Sequence, residues 1–160
     1  MAEPSPDTRR DLRRRARSAA RLYAVQALFQ MEAAGQTVDR VRAEFEDHRF
    51  GMVVEEGEYA EGDVDLFRAL LEAAVNHQAR VDQMTDRALV AKWPIDRIDP
   101  TLRALFRAAG GELVDRDTPP KVIISEYLEI ARAFFPEGKE PGFVNAVLDH
   151  MAREARPAAF

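Results

Sequence analysis

A chain of 160 residues with 46% hydrophobic side chains and no cysteine has the material for one packed core, and none for disulfides or thiolate metal sites. It has no apolar run approaching the roughly 20 residues needed to span a bilayer, and its start, MAEPSPDTRRDLRRR, lacks the apolar segment of a signal peptide. The net charge of −5 argues against indiscriminate polyanion binding, yet the charge is polarised: residues 1 to 21 hold seven arginines and three acids, a balance of +4, so the other 139 residues carry −9.

Residues 1 to 8 contain two prolines among polar neighbours and read as a disordered tail. From Arg9 to Glu32 the sequence predicts one long helix. Its first half is basic. Its second half, from Leu22 to Met31, is apolar almost all the way round and is expected to be enclosed by other helices as a central post. Arg10, Arg14, Arg17 and Arg21 follow spacings of four, three and four, which is one helix face. Unpaired like charges at that spacing repel by a few tenths of a kcal/mol per pair. An anionic partner therefore suits this row, and the guanidinium fork suits phosphate oxygens. The alternative is a helix end whose arginines pair with the protein's own carboxylates.

Gly35 is a helix stop, and Thr37 caps a second helix with Val38, Val41, Phe45 and Phe50 as its apolar stripe. The acidic stretch Glu55 to Asp65 reads as a solvated loop. Asp63 caps a third helix, striped by Phe67, Leu70, Leu71 and Ala74, and a shorter fourth carries Val81, Met84 and Ala88. Lys92-Trp93-Pro94 interrupts. Asp99-Pro100 then opens a fifth helix, with Leu102, Leu105, Phe106 and Ala109 facing inward. Gly110-Gly111 should weaken it by about 1 kcal/mol per glycine relative to alanine, so a neighbouring helix is expected to approach closely there.

Thr118-Pro119-Pro120 reads as the capped start of a sixth helix, with Ile124, Tyr127, Leu128, Ala131 and Phe135 on its buried face and Glu126 and Glu129 opposite. Pro136 to Gly142 is a loop. The last helix, FVNAVLDHMAREA, buries Val144, Val147, Leu148 and Met151, and residues 157–160 form a loose tail. No period-two strand pattern survives over five residues. The reading is an all-α fold of about seven helices in one domain, residues 9–156.

The motifs resemble one family. ARLYAVQALFQ, KWPIDRIDPTLRALFRAA, TPPKVIISEYLEIARAF and GFVNAVLDHMAR occur in the order found in the NusB family, and the resemblance spans Arg17 to Arg153. It implies a compact NusB-like helical bundle, located in the cytoplasm, that binds the single-stranded boxA element of nascent ribosomal RNA. It also implies a heterodimer with NusE, a small-subunit ribosomal protein, and a complex with elongating RNA polymerase that suppresses termination. Arg17 and Arg21 stand at the spacing of the family's arginine motif, while Ser18 and Ala19 fall where many relatives continue the basic run. Arg13, Arg14 and Arg15, one turn earlier, are placed to compensate, since phosphate contacts position without reading sequence. Phe143 matches an aromatic near the family's RNA-binding face. Many relatives carry lysine where this chain has Gly142, and Lys139 is the nearby substitute. Phe29 is tyrosine in many relatives. The expected RNA-binding set is therefore Arg10, Arg13, Arg14, Arg17, Arg21, Lys139 and Phe143.

Two rival readings remain. An enzyme is disfavoured: His48, His77 and His150 show no metal-ligand spacing, no strand-borne glycine loop is present, and Glu126/Glu129 or Asp82/Asp86 read as solvated pairs. No cofactor is expected. The second rival is a protein adaptor or homodimer whose arginine face binds an acidic protein.

Overall fold

The computed structural model describes residues 5–50, 62–89 and 97–160. Among them seven α-helices follow one another: α1 (Pro6–Ala34), α2 (Val38–Phe45), α3 (Val64–Asn76), α4 (Gln78–Ala88), α5 (Pro100–Asp115), α6 (Pro120–Phe134) and α7 (Glu140–Ala155). No strand occurs among the described residues. The Lys92-Trp93-Pro94 interruption and most of the acidic stretch after Glu55 lie outside them.

Local chemistry sets most helix ends. The Thr37 hydroxyl accepts from the Arg40 amide, the Asp63 carboxylate from Leu66 and the Asp99 carboxylate from Thr101, each satisfying an N–H that the first turn leaves free. Gly35 closes α1 at φ 64°, the left-handed conformation that glycine adopts without a Cβ penalty. Three boundaries differ from the sequence reading. α1 begins at Pro6, capped by the Ser5 hydroxyl, so residues 6–8 are helical. α6 is preceded by Pro119, with no side-chain cap from Thr118. α7 starts three residues early at Glu140, because Pro141 fits a first helical turn. After α7 a 3-10 turn, Pro157–Ala159, brings the Phe160 ring to 4.5 Å from the Arg153 guanidinium.

The helix enclosed on all sides is α5. Ten of its sixteen residues are buried, and it packs against α1, α3, α4, α6 and α7. α1 is the long helix expected, but its apolar half is one-sided: Ala20, Ala24, Val25, Ala27 and Leu28 are buried, while Phe29 remains 38% exposed. Its outer flank is covered at Tyr23 by an aromatic cluster, in which Phe50 meets Tyr23 edge-on at 5.2 Å and Phe45 stacks on Phe67 at 5.8 Å. The cluster fastens α2 across α1 and α3.

Gly110-Gly111 is where neighbours approach α5. A Cβ at Gly110 would collide with Val81 of α4, and one at Gly111 would lie 2.9 Å from the Ala74 backbone nitrogen of α3. α6 is rotated from the expected stripe: Ile123, Tyr127, Ile130 and Ala131 are buried, while Ile124, Leu128 and Phe135 are half-buried. Both stripes satisfy helical spacing around Tyr127. The chosen one carries the Tyr127 hydroxyl to Glu112 of α5, 3.0 Å away. At the far end of α7, the Arg156 guanidinium donates to the carbonyls of Leu113 at 2.7 Å and Thr118 at 2.9 Å, satisfying oxygens around the α5–α6 turn.

Gly111→Ala is expected to lower stability despite a helix-propensity gain of about 1 kcal/mol, because overpacking against backbone costs about 1–3 kcal/mol. Gly142→Ala, with nothing within 4 Å of its Cβ, is expected to raise it. Urea midpoints of the two variants should move in opposite directions.

Candidate nucleic-acid interface

The body of the protein ends partway along α1. Among the described residues full burial begins at Ala20, and the Ala16 carbonyl accepts the amide of Asp63, the cap of α3, at 3.0 Å. The turns before that point form an arm. Arg10, Arg13 and Arg17 are exposed on it and make no ion pair or hydrogen bond among the described residues. Arg14 and Arg15 share Asp11 at 2.6 and 3.2 Å, with both arginine side chains about 70% exposed. Pairs this wet contribute little and are readily exchanged for another anion.

Arg21 departs from the sequence reading. It lies on the same helix face as Arg10, Arg14 and Arg17, but the body covers it, and its side chain is 4% exposed. Its Nε donates to Glu112 Oε1 at 3.0 Å and its Nη2 to Glu112 Oε2 at 2.8 Å. Tyr127 donates to the same carboxylate. Glu126, whose oxygen sits 3.7 Å from Arg21 Nη1, accepts the Ser18 hydroxyl at 2.8 Å. Burial is the largest influence on Arg21 and disfavours its charge. The hydrogen bond to Glu112 and the charges of Glu112, Tyr127 and Glu126 outweigh it, so the pKa rises. Burial, reinforced by Glu112, pushes the Tyr127 phenol well above its usual range. Arg21 is thus a charged internal tie, unavailable to a phosphate without breaking the core.

Lys139 and Phe143 are not beside the arm. They line a pocket of about 390 Å3 with Arg97, Ile98, Leu102 and Phe135. This pocket lies at the other end of α1, where Glu32 pairs with Arg103, the neighbour of Leu102. Arg13 and Glu32 are about 28 Å apart along the helix at 1.5 Å per residue. Lys139 is exposed ahead of α7. Phe143 is half-buried, its ring meeting Phe106 at 6.3 Å in an edge contact. The predicted residues therefore form two patches joined by α1.

Between the patches, α1 and α6 bound a groove of about 480 Å3 whose lining includes Glu126 and Glu129 as well as Arg14. Those carboxylates make it a poor path for a phosphate chain. The sequence reading missed Glu112 as a functional partner. An acid directly after Gly110-Gly111, where a neighbouring helix was expected to approach closely, was its one signal. It also placed Glu126 on a solvated face, where it is half-buried against Ser18.

The described residues form an all-helical bundle with an exposed basic arm at one end of its first helix. The NusB family model matches residues 18–153, and the chain belongs to the NusB family. The match begins just past the exposed arginines of the arm. A transcription antitermination protein NusB from Maricaulis maris is 48% identical over 161 residues, covering 100% of both chains. One from Caulobacter vibrioides is 48% identical over 141 residues, covering 88% of this chain and 94% of that one. Among solved structures, T. maritima NusB superposes with a TM-score of 0.70 at 28% identity, covering 90% of this chain and 96% of that one. The NusB of a complex of antitermination factors NusB and NusE with double-stranded RNA gives a TM-score of 0.72 at 21% identity, covering 88% and 98%, which is a likeness of fold. No helix among the described residues is long and apolar enough to cross a membrane.

Arg21→Glu is expected to destabilise the fold by about 3–5 kcal/mol, since it leaves Glu112 buried without its cation and adds a second carboxylate. Arg17→Glu is expected to leave the urea midpoint nearly unchanged. Circular dichroism of the two variants separates the internal tie from the exposed arm.

Proposed function

We propose that this protein is a cytoplasmic, non-catalytic transcription antitermination factor that binds the boxA element of nascent ribosomal RNA as a single strand. It does so with NusE, and the pair joins the elongating RNA polymerase. The observation that carries the reading is the arm: Arg10, Arg13 and Arg17 project from a body of net charge −9 and pair with no carboxylate among the described residues. Their spacing keeps them on one side of the helix, and an anionic strand laid along it meets all three. The relatives named as antitermination proteins, one of them 48% identical over the whole chain, point to the same class of work.

Arginines hold the backbone of a single strand, while unstacked bases rest on aromatic or guanidinium planes. Lys139 and Phe143 supply such a pair at the second patch. Three to five phosphate contacts give a log–log salt slope of about −2 to −3.5 for a single strand. So few contacts give modest affinity, which a second protein touching the same RNA raises. The body's negative charge repels the strand elsewhere and orients binding. Gly142 faces open space, so a side chain there is free to add a contact.

Fluorescence anisotropy of labelled boxA against a scrambled strand of equal length, at two salt concentrations and with or without NusE, tests this. The expected result is a boxA preference that sharpens with NusE. A variant with Arg10, Arg13 and Arg17 all changed to Glu should bind at least tenfold more weakly at unchanged helicity. Gly142→Lys should bind severalfold more tightly. Equal binding of both strands, erased by salt, overturns the reading and leaves a generic polyanion patch.

A further inference from the structure

Asp11 is the one carboxylate between Arg9 and Arg17, and it opposes the charge of the arm from within. Its side chain is 35% exposed and holds the guanidinium of Arg14 at 2.6 Å and that of Arg15 at 3.2 Å. Asp11, Arg14, Ser18 and Leu22 follow spacings of three, four and four, which is one helix face. The last three are residues that α1 gives to the groove it shares with Glu126 and Glu129 of α6. Asp11 therefore prolongs that acidic edge by one turn, out along the arm.

Each residue turns an α-helix by about 100°, so Arg10, Arg13 and Arg17 fall within an arc of about 60°. Arg14 lies about 40° past Arg10, Asp11 about 60° further, and Arg15 about 40° beyond Asp11. Without Asp11 the arginines from 10 to 17 would offer cations over about 200° of the helix surface. A strand could then lie along several lines and gain nearly the same from each, because phosphate contacts carry no sequence information. Asp11 removes that freedom on one side. A phosphate that reaches Arg14 or Arg15 displaces a carboxylate that stays tethered within a turn. The two anions then repel each other well inside the screening length of about 10 Å at 0.1 M salt.

We propose that Asp11 is a specificity-determining residue of the arm: it withholds Arg14 and Arg15 from the phosphate chain and confines the bound strand to the track of Arg10, Arg13 and Arg17. The assignment rests on the RNA-binding reading above and adds to it a carboxylate that works by exclusion. Discrimination is a difference between affinities, and a charge set against the wrong binding modes raises it as surely as a contact that favours the right one. Asp11 therefore lowers affinity for any polyanion and raises the preference for a strand whose bases are read elsewhere on the protein.

The test uses the full chain, with labelled boxA and a scrambled strand of equal length read by anisotropy across a salt series. Asp11→Asn should bind the scrambled strand about fivefold more tightly at 0.1 M salt and steepen its log–log salt slope by about 0.7 to 1.4, one or two added single-strand contacts. Its affinity for boxA should rise by less than about twofold, because that strand already lies on the other track, so the preference for boxA falls. Asp11→Glu, which keeps the charge, should behave as wild type. Changing Arg14 and Arg15 to Gln in the Asp11→Asn background should cancel the gain. Asp7→Asn removes an equal charge four residues earlier, from a carboxylate that pairs with no arginine among the described residues, and should leave the preference in place. If Asp11→Asn changes neither slope nor preference while wild type selects boxA, the assignment is overturned and the RNA reading stands. It is also overturned if Asp7→Asn has the same effect, since net charge alone then acts, or if the gain survives the loss of both arginines. Absence of boxA binding by wild type sinks the RNA reading itself.

Discussion

The ion pair between Arg21 and Glu112 is the constraint on which the rest of this structure depends. Two charges taken out of water cost several kcal/mol each, and their attraction offsets this only when geometry and hydrogen bonding are complete. Here they nearly are. The guanidinium meets both carboxylate oxygens, and Tyr127 supplies a further donor to Glu112. Glu126, itself held by Ser18, faces the guanidinium's remaining nitrogen. The network links α1, α5 and α6 by bonds that tolerate little sliding, whereas apolar contacts alone would accept several registers. It therefore fixes the rotation of α1 against the body, and through Tyr127 the rotation of α6.

That fixed rotation aims the arm. Because α1 is a single unbroken helix from Pro6 to Ala34, turning it at Arg21 turns every arginine before it. Arg10, Arg14 and Arg17 continue the face of Arg21 toward the N-terminus, where the Asp63 amide at the start of α3 bonds the Ala16 carbonyl. The same helix carries the other end of the surface to the pocket near Leu102. A rigid rod with a charged tip and an aromatic pocket near its far end suits a strand of several nucleotides better than a compact ligand. The acidic groove between them argues for contact at two ends in place of continuous coverage. A few exposed arginines yield modest affinity, and a partner protein touching the same strand fits that arrangement.

Much of the fold was legible because local chemistry decides it. Thr37, Asp63 and Asp99 cap the helices they were expected to cap, and Gly35 ends α1, since each effect acts within one turn. Gly110-Gly111 announced a close helix crossing because two glycines inside a helix have a cost that only packing offsets. The stripe of α6 was misjudged for the opposite reason. Its sequence is apolar on two adjoining faces, and a hydrogen bond to another helix chose between them. The enclosed helix was likewise misassigned: α1 is more continuously apolar by eye, yet α5, with small residues and two glycines, admits five neighbours.

The sequence by itself determined that the chain is all helical, where most helices begin and end, and that four arginines share one face of the first. These follow from turn chemistry and the 3.6-residue period, which need no tertiary information. The tertiary structure decided which of those arginines meets water. Position along the face is read from spacing, but the point at which the body stops covering that face is set by how far α3, α5 and α6 extend. Arg21 falls inside that limit and became a structural cation, while Arg10, Arg13 and Arg17 fall outside it and are exposed, with no ion pair among the described residues. The same reason separated Lys139 and Phe143 from the arm, since nothing in residues far apart in the chain states which end of α1 they pack against.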